Sequence, residues 1–163
     1  MGKIVVGVMG PGKDAGVEVL DAAFELGRLI AQEGWILLTG GRDAGVMDAA
    51  MRGAKEAGGT TVGILPGADA SGASAEVDIA IITGMGQARN NINALSSRVV
   101  IACGMGAGTA AEVALALKAR KKVILLGCTQ EAVSFFQQLG KESILVAEHA
   151  SEAVALAQKL IND

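Results

Sequence analysis

Ten residues, Cys103-Gly104-Met105-Gly106-Ala107-Gly108-Thr109-Ala110-Ala111-Glu112, carry the strongest chemical signal in this sequence. They follow an apolar run, Arg98 to Ala102, with the pattern of a buried strand. They lead into Val113 to Arg120, with the pattern of a helix. A glycine-rich turn between a strand and a helix aims free backbone N–H groups and the positive end of the helix dipole at one point. That is an anion site, most often for phosphate. Glu112 sets a carboxylate one turn into the helix, beside the place where the rest of a phosphorylated ligand lies. The competing reading is structural, because Thr109-x-x-Glu112 also has the spacing of a capping box. Arg89 begins a segment whose polar residues, Arg89-Asn90-Asn91 and Asn93, stand beside apolar Ile92 and Leu95. A planar guanidinium at a strand end suits phosphate or carboxylate recognition; its alternative is an ion pair, with Glu112 as the nearest candidate.

These groups need elements to hold them. Strand-like runs occur at Lys3–Met9, Trp35–Thr39, Thr61–Leu65, Asp78–Thr83, Arg98–Ala102, Lys122–Leu126 and Ser143–Val146. Helix-like runs occur at Val17–Gln32, Ala44–Ala57, Gln87–Ser96, Thr109–Ala119, Glu131–Leu139 and Ser151–Ile161. Most strand runs are continuous Val/Ile/Leu, as in a parallel sheet covered on both faces. The alternation predicts a three-layer, Rossmann-like α/β fold, a mostly parallel sheet of about seven strands in a single domain. The irregular stretch Pro66 to Val77 reads as a mobile loop near the pocket.

Ligands of such folds bind outside the carboxyl ends of the strands, so the residues that follow each strand outline the pocket. They are Gly10-Pro11-Gly12-Lys13, Gly40-Gly41-Arg42-Asp43-Ala44-Gly45, Pro66-Gly67, Gly84-Met85-Gly86-Gln87-Ala88-Arg89, Cys103 to Thr109, and Gly127-Cys128-Thr129. The ligand-binding candidates are therefore Gly10, Gly12, Gly40, Gly41, Gly45, Gly84, Met85, Gly104, Gly106, Ala107, Gly108 and Thr109, with Arg89 and Glu112 as candidate catalytic groups. Gly7 to Asp14 approaches a phosphate-binding GxxxxGK[ST] loop, but Asp14 stands where a magnesium-binding hydroxyl belongs and its charge repels phosphate. A GxGxxG fingerprint fails there too, since Ala15 takes the third glycine's place. Asp43 reads as an N-cap, and Arg42 faces either ligand or solvent.

Composition narrows the classes. The chain has 163 residues, 23 of them glycine, no tyrosine and a net charge of −3. With neither a basic footprint nor stacking aromatics, nucleic acid is not an expected partner. No apolar stretch reaches the roughly 18 residues that span a bilayer, and the first ten residues are too short for a secretory signal, so the expected location is cytoplasmic. Cys103 and Cys128 read as small buried hydrophobes, and one histidine, His149, builds no metal site with them.

Together these residues resemble the LOG (Lonely Guy) superfamily, which holds phosphoribohydrolases and the molybdenum-cofactor carrier proteins. Gly40-Gly41-Arg42-Asp43-Ala44-Gly45-Val46-Met47 is similar to the family's GGxxxGxM-like turn, and Gly104 to Glu112 to its PGGxGTxxE signature. The resemblance runs from Gly7 to about Gly127 and implies that Glu112 and Arg89 match the family's catalytic glutamate and arginine. Gly104 replaces the family proline and Met105 the next glycine, and Arg89-Asn90 stands where the hydrolases have Arg-Lys. The segment Thr83 to Asn90 is closer to the carrier branch. Three functions follow: a binder or carrier of a phosphorylated small molecule such as a nucleotide or pterin, with molybdenum cofactor as cargo and no cofactor required; a hydrolase of the N-glycosidic bond of nucleoside 5′-monophosphates; or a structural domain acting through assembly. The nearly all-apolar face of Thr109–Ala119, like the resemblance, implies a homodimer or higher homo-oligomer.

Overall fold

The computed structural model describes residues 2–163. Seven parallel strands form one sheet: β1 (Val5–Met9), β2 (Ile36–Thr39), β3 (Thr61–Leu65), β4 (Ile79–Ile82), β5 (Val99–Cys103), β6 (Val123–Leu126) and β7 (Ile144–Ala147), in the order β4-β3-β2-β1-β5-β6-β7. Six helices alternate with them: α1 (Val17–Gln32), α2 (Gly45–Glu56), α3 (Asn90–Ser96), α4 (Ala107–Lys118), α5 (Gln130–Gly140) and α6 (Ala150–Asn162). The Rossmann-like three-layer expectation holds.

The period-two side-chain alternation of the strands sorts the interior into two cores. Val99, Ile101 and Cys103 of β5 meet α1, α2 and α6 on one face. Val100 and Ala102 meet α3, α4 and α5 on the other. Helices α1 and α2 pack backbone to backbone: a Cβ on Gly27 would lie 1.9 Å from the Ala50 carbonyl oxygen, and one on Gly53 would lie 1.9 Å from that of Phe24. This contact seats α2, and with it the turn that precedes α2, against the strand ends.

Helix starts differ from those read in the sequence. Helix α2 begins at Gly45 with Ala44 as its N-cap, while the Asp43 N–H donates to the Gly72 carbonyl. Helix α4 begins at Ala107, two residues before the expected Thr109, with Gly106 as N-cap and no side-chain cap. A 3-10 turn, Gly86–Arg89, precedes α3. The stretch from Pro66 to Val77 is tethered: Ser74 N–H donates to Gly41 O at 2.9 Å, Ser74 Oγ donates to Asp48 Oδ1 at 2.6 Å, and Ala73 bridges Arg42. These bonds satisfy backbone groups that an irregular segment otherwise leaves to water.

The chain winds outward from β1 through β2 to β4, then returns to β5 and winds the other way. Strands β1 and β5 therefore flank the point where the winding reverses, and their carboxyl ends open a crevice between the loops that follow them.

Candidate functional site

A cavity of about 230 Å³ fills that crevice. Its walls are Val8 to Gly12 and Asp14 from β1 and its loop, Gly40 and Arg42 from the β2–α2 turn, Met47 from the first turn of α2, Gln87 and Arg89 from the 3-10 turn with Asn90 at the start of α3, and Gly106 to Thr109 with Glu112 from α4 and its N-cap. Of the residues singled out in the sequence, Gly10, Gly12, Gly40, Arg89, Gly106, Ala107, Gly108, Thr109 and Glu112 meet here.

Gly41, Gly45, Gly84, Met85 and Gly104 do not line the cavity. Gly41 backs onto Gly63 of β3, 2.9 Å from a built Cβ. Gly45, at φ +54, lies so near Gly12 that a Cβ would stand 2.0 Å from its carbonyl oxygen. These two glycines position the loops rather than face a ligand. Gly104 (φ +72) turns the chain beside Val19 and Pro11, and Gly84 and Met85 lie exposed outside.

The first intrahelical bond of α4 runs from Ala110 N–H to Gly106 O at 2.8 Å, so the N–H groups of Ala107, Gly108 and Thr109 precede the helical ladder. The capping-box reading of Thr109 and Glu112 fails. Thr109 lies inside the first turn of α4 and its buried Oγ1 has no partner. Glu112 instead accepts a hydrogen bond from Asn93 Nδ2 at 2.7 Å.

Arg89 crosses the floor of the cavity with its side chain only 7% exposed. It fits because Gly40 has no side chain: a Cβ there would lie 2.6 Å from Arg89 Nη1. Nη1 donates to Asn90 Oδ1 at 2.9 Å, and its distance to Glu112 Oε1 is 3.9 Å, so the pair is electrostatic rather than hydrogen-bonded. Arg89 Nε–H is buried without an acceptor. Burial raises the Glu112 carboxyl above its ordinary range, against the opposing pull of Asn93 and Arg89. Burial likewise lowers the Arg89 guanidinium, with Glu112 opposing and Arg42 adding to the effect. The arrangement brings one buried carboxyl and one buried guanidinium into the same cavity as the first main-chain amides of α4.

Sequence reading missed Met47 and Asp14 as wall residues, and the bond that Asn93 makes to Glu112. Met47 follows the glycine-rich turn in the first turn of α2, and Asn93 belongs to the polar run after Arg89; nothing in either pattern fixes which way the side chain turns. Cys103 and Cys128 lie off the cavity; burial pushes Cys103 up to about 12 and Cys128 up to about 11. Among the described residues no group of three or more His, Cys, Asp or Glu is placed to hold a metal ion, and no helix is long and apolar enough to cross a membrane.

The family model described as the SLOG cluster4 family matches residues 3–154. Among solved structures, the molybdenum cofactor binding protein of the phototrophic bacterium Rippkaea orientalis is 52% identical over 99% of both chains, with a TM-score of 0.97. The molybdenum cofactor carrier protein of Chlamydomonas reinhardtii is 57% identical over 99% of this chain and 100% of its own, with a TM-score of 0.94. An uncharacterised protein of Archaeoglobus fulgidus is 43% identical over 121 residues, 74% of this chain and 78% of its own.

Proposed function

From the chain's membership of the SLOG cluster4 family, within the LOG and molybdenum-cofactor carrier superfamily, we propose that it binds and carries a phosphorylated small molecule of the nucleotide or pterin class, with molybdenum cofactor as the leading cargo. The observation that carries this reading is the run of uncapped α4 amides, Ala107, Gly108 and Thr109, in the same cavity as the Arg89 guanidinium.

The N–H groups of Ala107, Gly108 and Thr109 hold the phosphate, and the guanidinium of Arg89 supplies the positive charge within the same cavity. Asn90 and Gln87 offer amide groups to the polar edge of a ring, and Met47 offers an apolar face. A molybdenum-bearing cargo is gripped through its phosphate and ring, because the wall provides hydrogen-bond donors and a thioether rather than thiolates. When bound, the cofactor brings its own redox chemistry; the chain's residues bind, orient and shield it. A second copy covers the outward residues Ala111 and Ala114 of α4 and the exposed Ile79, Ile81 and Ile82 of edge strand β4, giving a homo-oligomer.

A second reading has its own observation: the Arg89–Glu112 pair, at 3.9 Å, inside the cavity. A carboxylate there can stabilise an oxocarbenium-like centre one turn from a bound phosphate while water adds to the anomeric carbon, so that a nucleoside 5′-monophosphate is hydrolysed to free base and ribose 5-phosphate. One experiment separates the two. Native mass spectrometry of the protein taken directly from cells is expected to reveal a retained phosphorylated ligand, and incubation with AMP is expected to release no adenine. Adenine release that Glu112→Ala abolishes establishes the hydrolase instead.

A further inference from the structure

Arg89 Nη1 has two side-chain oxygens near it and bonds one of them. Asn90 Oδ1 accepts from it at 2.9 Å, whereas Glu112 Oε1 stands off at 3.9 Å. A guanidinium nitrogen only donates, so the atom of Asn90 that faces it is the carbonyl oxygen, and the amide has one orientation. That bond fixes the opposite end of the same amide. Asn90 is buried and lines the cavity. Its Nδ2 makes no hydrogen bond among the described residues, and, unlike Arg89 Nε and Thr109 Oγ1, it is not sealed from the cavity. Arg89 in turn packs against the bare backbone of Gly40, so both members of the pair are held.

A fixed, uncharged donor selects differently from the guanidinium beside it. It complements a neutral acceptor such as a ring carbonyl oxygen, and it sets N–H against N–H when a ring amino group takes that place. We propose that Asn90 is a specificity-determining residue: held by Arg89, its Nδ2–H donates to a carbonyl oxygen of the ligand's ring, so that the cavity prefers phosphorylated oxo-heterocycles to their amino counterparts. Gln87 shares the wall but is exposed and has no such tether among the described residues, so it imposes no comparable choice. This rests on the reading of the cavity as the site of a phosphorylated small molecule.

Ribose 5-phosphate, inosine 5′-monophosphate (IMP) and AMP are titrated separately into ¹⁵N-labelled protein, following the main-chain amides of Gly108 and Thr109 and the side-chain amide of Asn90. IMP carries a ring carbonyl where AMP carries an amino group. All three ligands are expected to shift Gly108 and Thr109, and IMP alone to shift the Asn90 amide protons downfield. IMP is expected to bind about tenfold or more tighter than AMP, because the wrong ligand leaves a buried donor unpaired. Asn90→Asp keeps an oxygen for Arg89 and exchanges the donor for an acceptor, so it inverts the preference. Equal affinities in the wild type, an Asn90 amide silent to bound IMP, or an unchanged preference in Asn90→Asp overturns the assignment; a Gly108 that still responds leaves the phosphate reading standing. The wild-type measurements decide this even if the variant does not fold. Silence of Gly108 and Thr109 toward all three ligands, with an Asn90 that answers IMP, overturns the phosphate reading alone. Silence at every position overturns both.

Discussion

Asn93 Nδ2 donates to Glu112 Oε1 at 2.7 Å, joining α3 to α4 through two buried side chains. The bond turns the Glu112 carboxyl away from the N-terminus of its own helix and toward the floor of the cavity. Asn93 is held in turn, because Ser97 Oγ donates to its carbonyl at 2.7 Å. Asn93→Ala leaves a buried carboxyl whose nearest cation is 3.9 Å away. The variant is expected to lose about 2–3 kcal/mol of stability in urea denaturation, more than an ordinary surface asparagine.

The buried position of Glu112 gives stability a pH dependence with a defined sign. Burial raises its folded-state affinity for a proton above that of the unfolded chain. The stabilisation is therefore complete below the ordinary carboxylate range and is lost as pH rises through the raised folded value. Glu112→Gln removes that loss, so its stability relative to wild type improves from pH 4 toward pH 8. Each tenfold difference in proton affinity contributes about 1.4 kcal/mol. Urea midpoints of the two proteins across this range test it; parallel curves refute it.

Two glycines near the cavity respond oppositely to a methyl group. Gly45 combines φ +54 with a built Cβ only 2.0 Å from Gly12 O. Gly45→Ala is expected to cost about 3 kcal/mol or more, as left-handed strain adds to displaced backbone. Gly108 has open space around its Cβ position and a place in the first turn of α4. Gly108→Ala is expected to keep or gain up to about 1 kcal/mol. On the proposed role of the α4 amides, Gly108→Asp is expected to fold equally well and to abolish phosphate binding, because the added carboxylate occupies the helix N-terminus. Thermal denaturation and phosphate titration of the three variants read out each effect.

The two thiols are expected to be inert in the folded protein. With Cys103 raised to about 12 and Cys128 to about 11, the thiolate fraction at pH 8 is very small. Reaction with a disulfide reagent should run on the order of 100-fold slower than for a free cysteine, and reach full speed only in denaturant.

The alternating strands and helices are legible in the sequence because both signals are local. Continuous apolar runs such as Val99 to Ala102 bury on two faces, and glycine-rich turns end each strand. The site was most legible where its groups belong to the backbone. Gly106 to Thr109 sit at a helix start whatever their neighbours do, so their amides point outward there. Side-chain roles were harder to read. The Thr-x-x-Glu spacing suits a cap, yet Asn93, nineteen residues before Glu112 in sequence, takes the carboxyl instead. The glycines divide in the same way: Gly40 makes room for the protein's own Arg89, and Gly41 for a neighbouring strand. A one-dimensional pattern marks that a side chain is missing without saying what fills the space.

The order of residues, then, determined a parallel α/β sheet, an amide-rich turn before α4 and the presence of Arg89 and Glu112 near strand ends. The tertiary structure alone decided that β1 lies between β2 and β5, and so that Arg42, Arg89 and Glu112 line one cavity, with Asn93 bonded to Glu112. The reason is the range of the forces involved. Hydrogen-bond geometry and side-chain periodicity act over a few residues, whereas which carboxyl meets which amide depends on how helices far apart in sequence pack on the sheet.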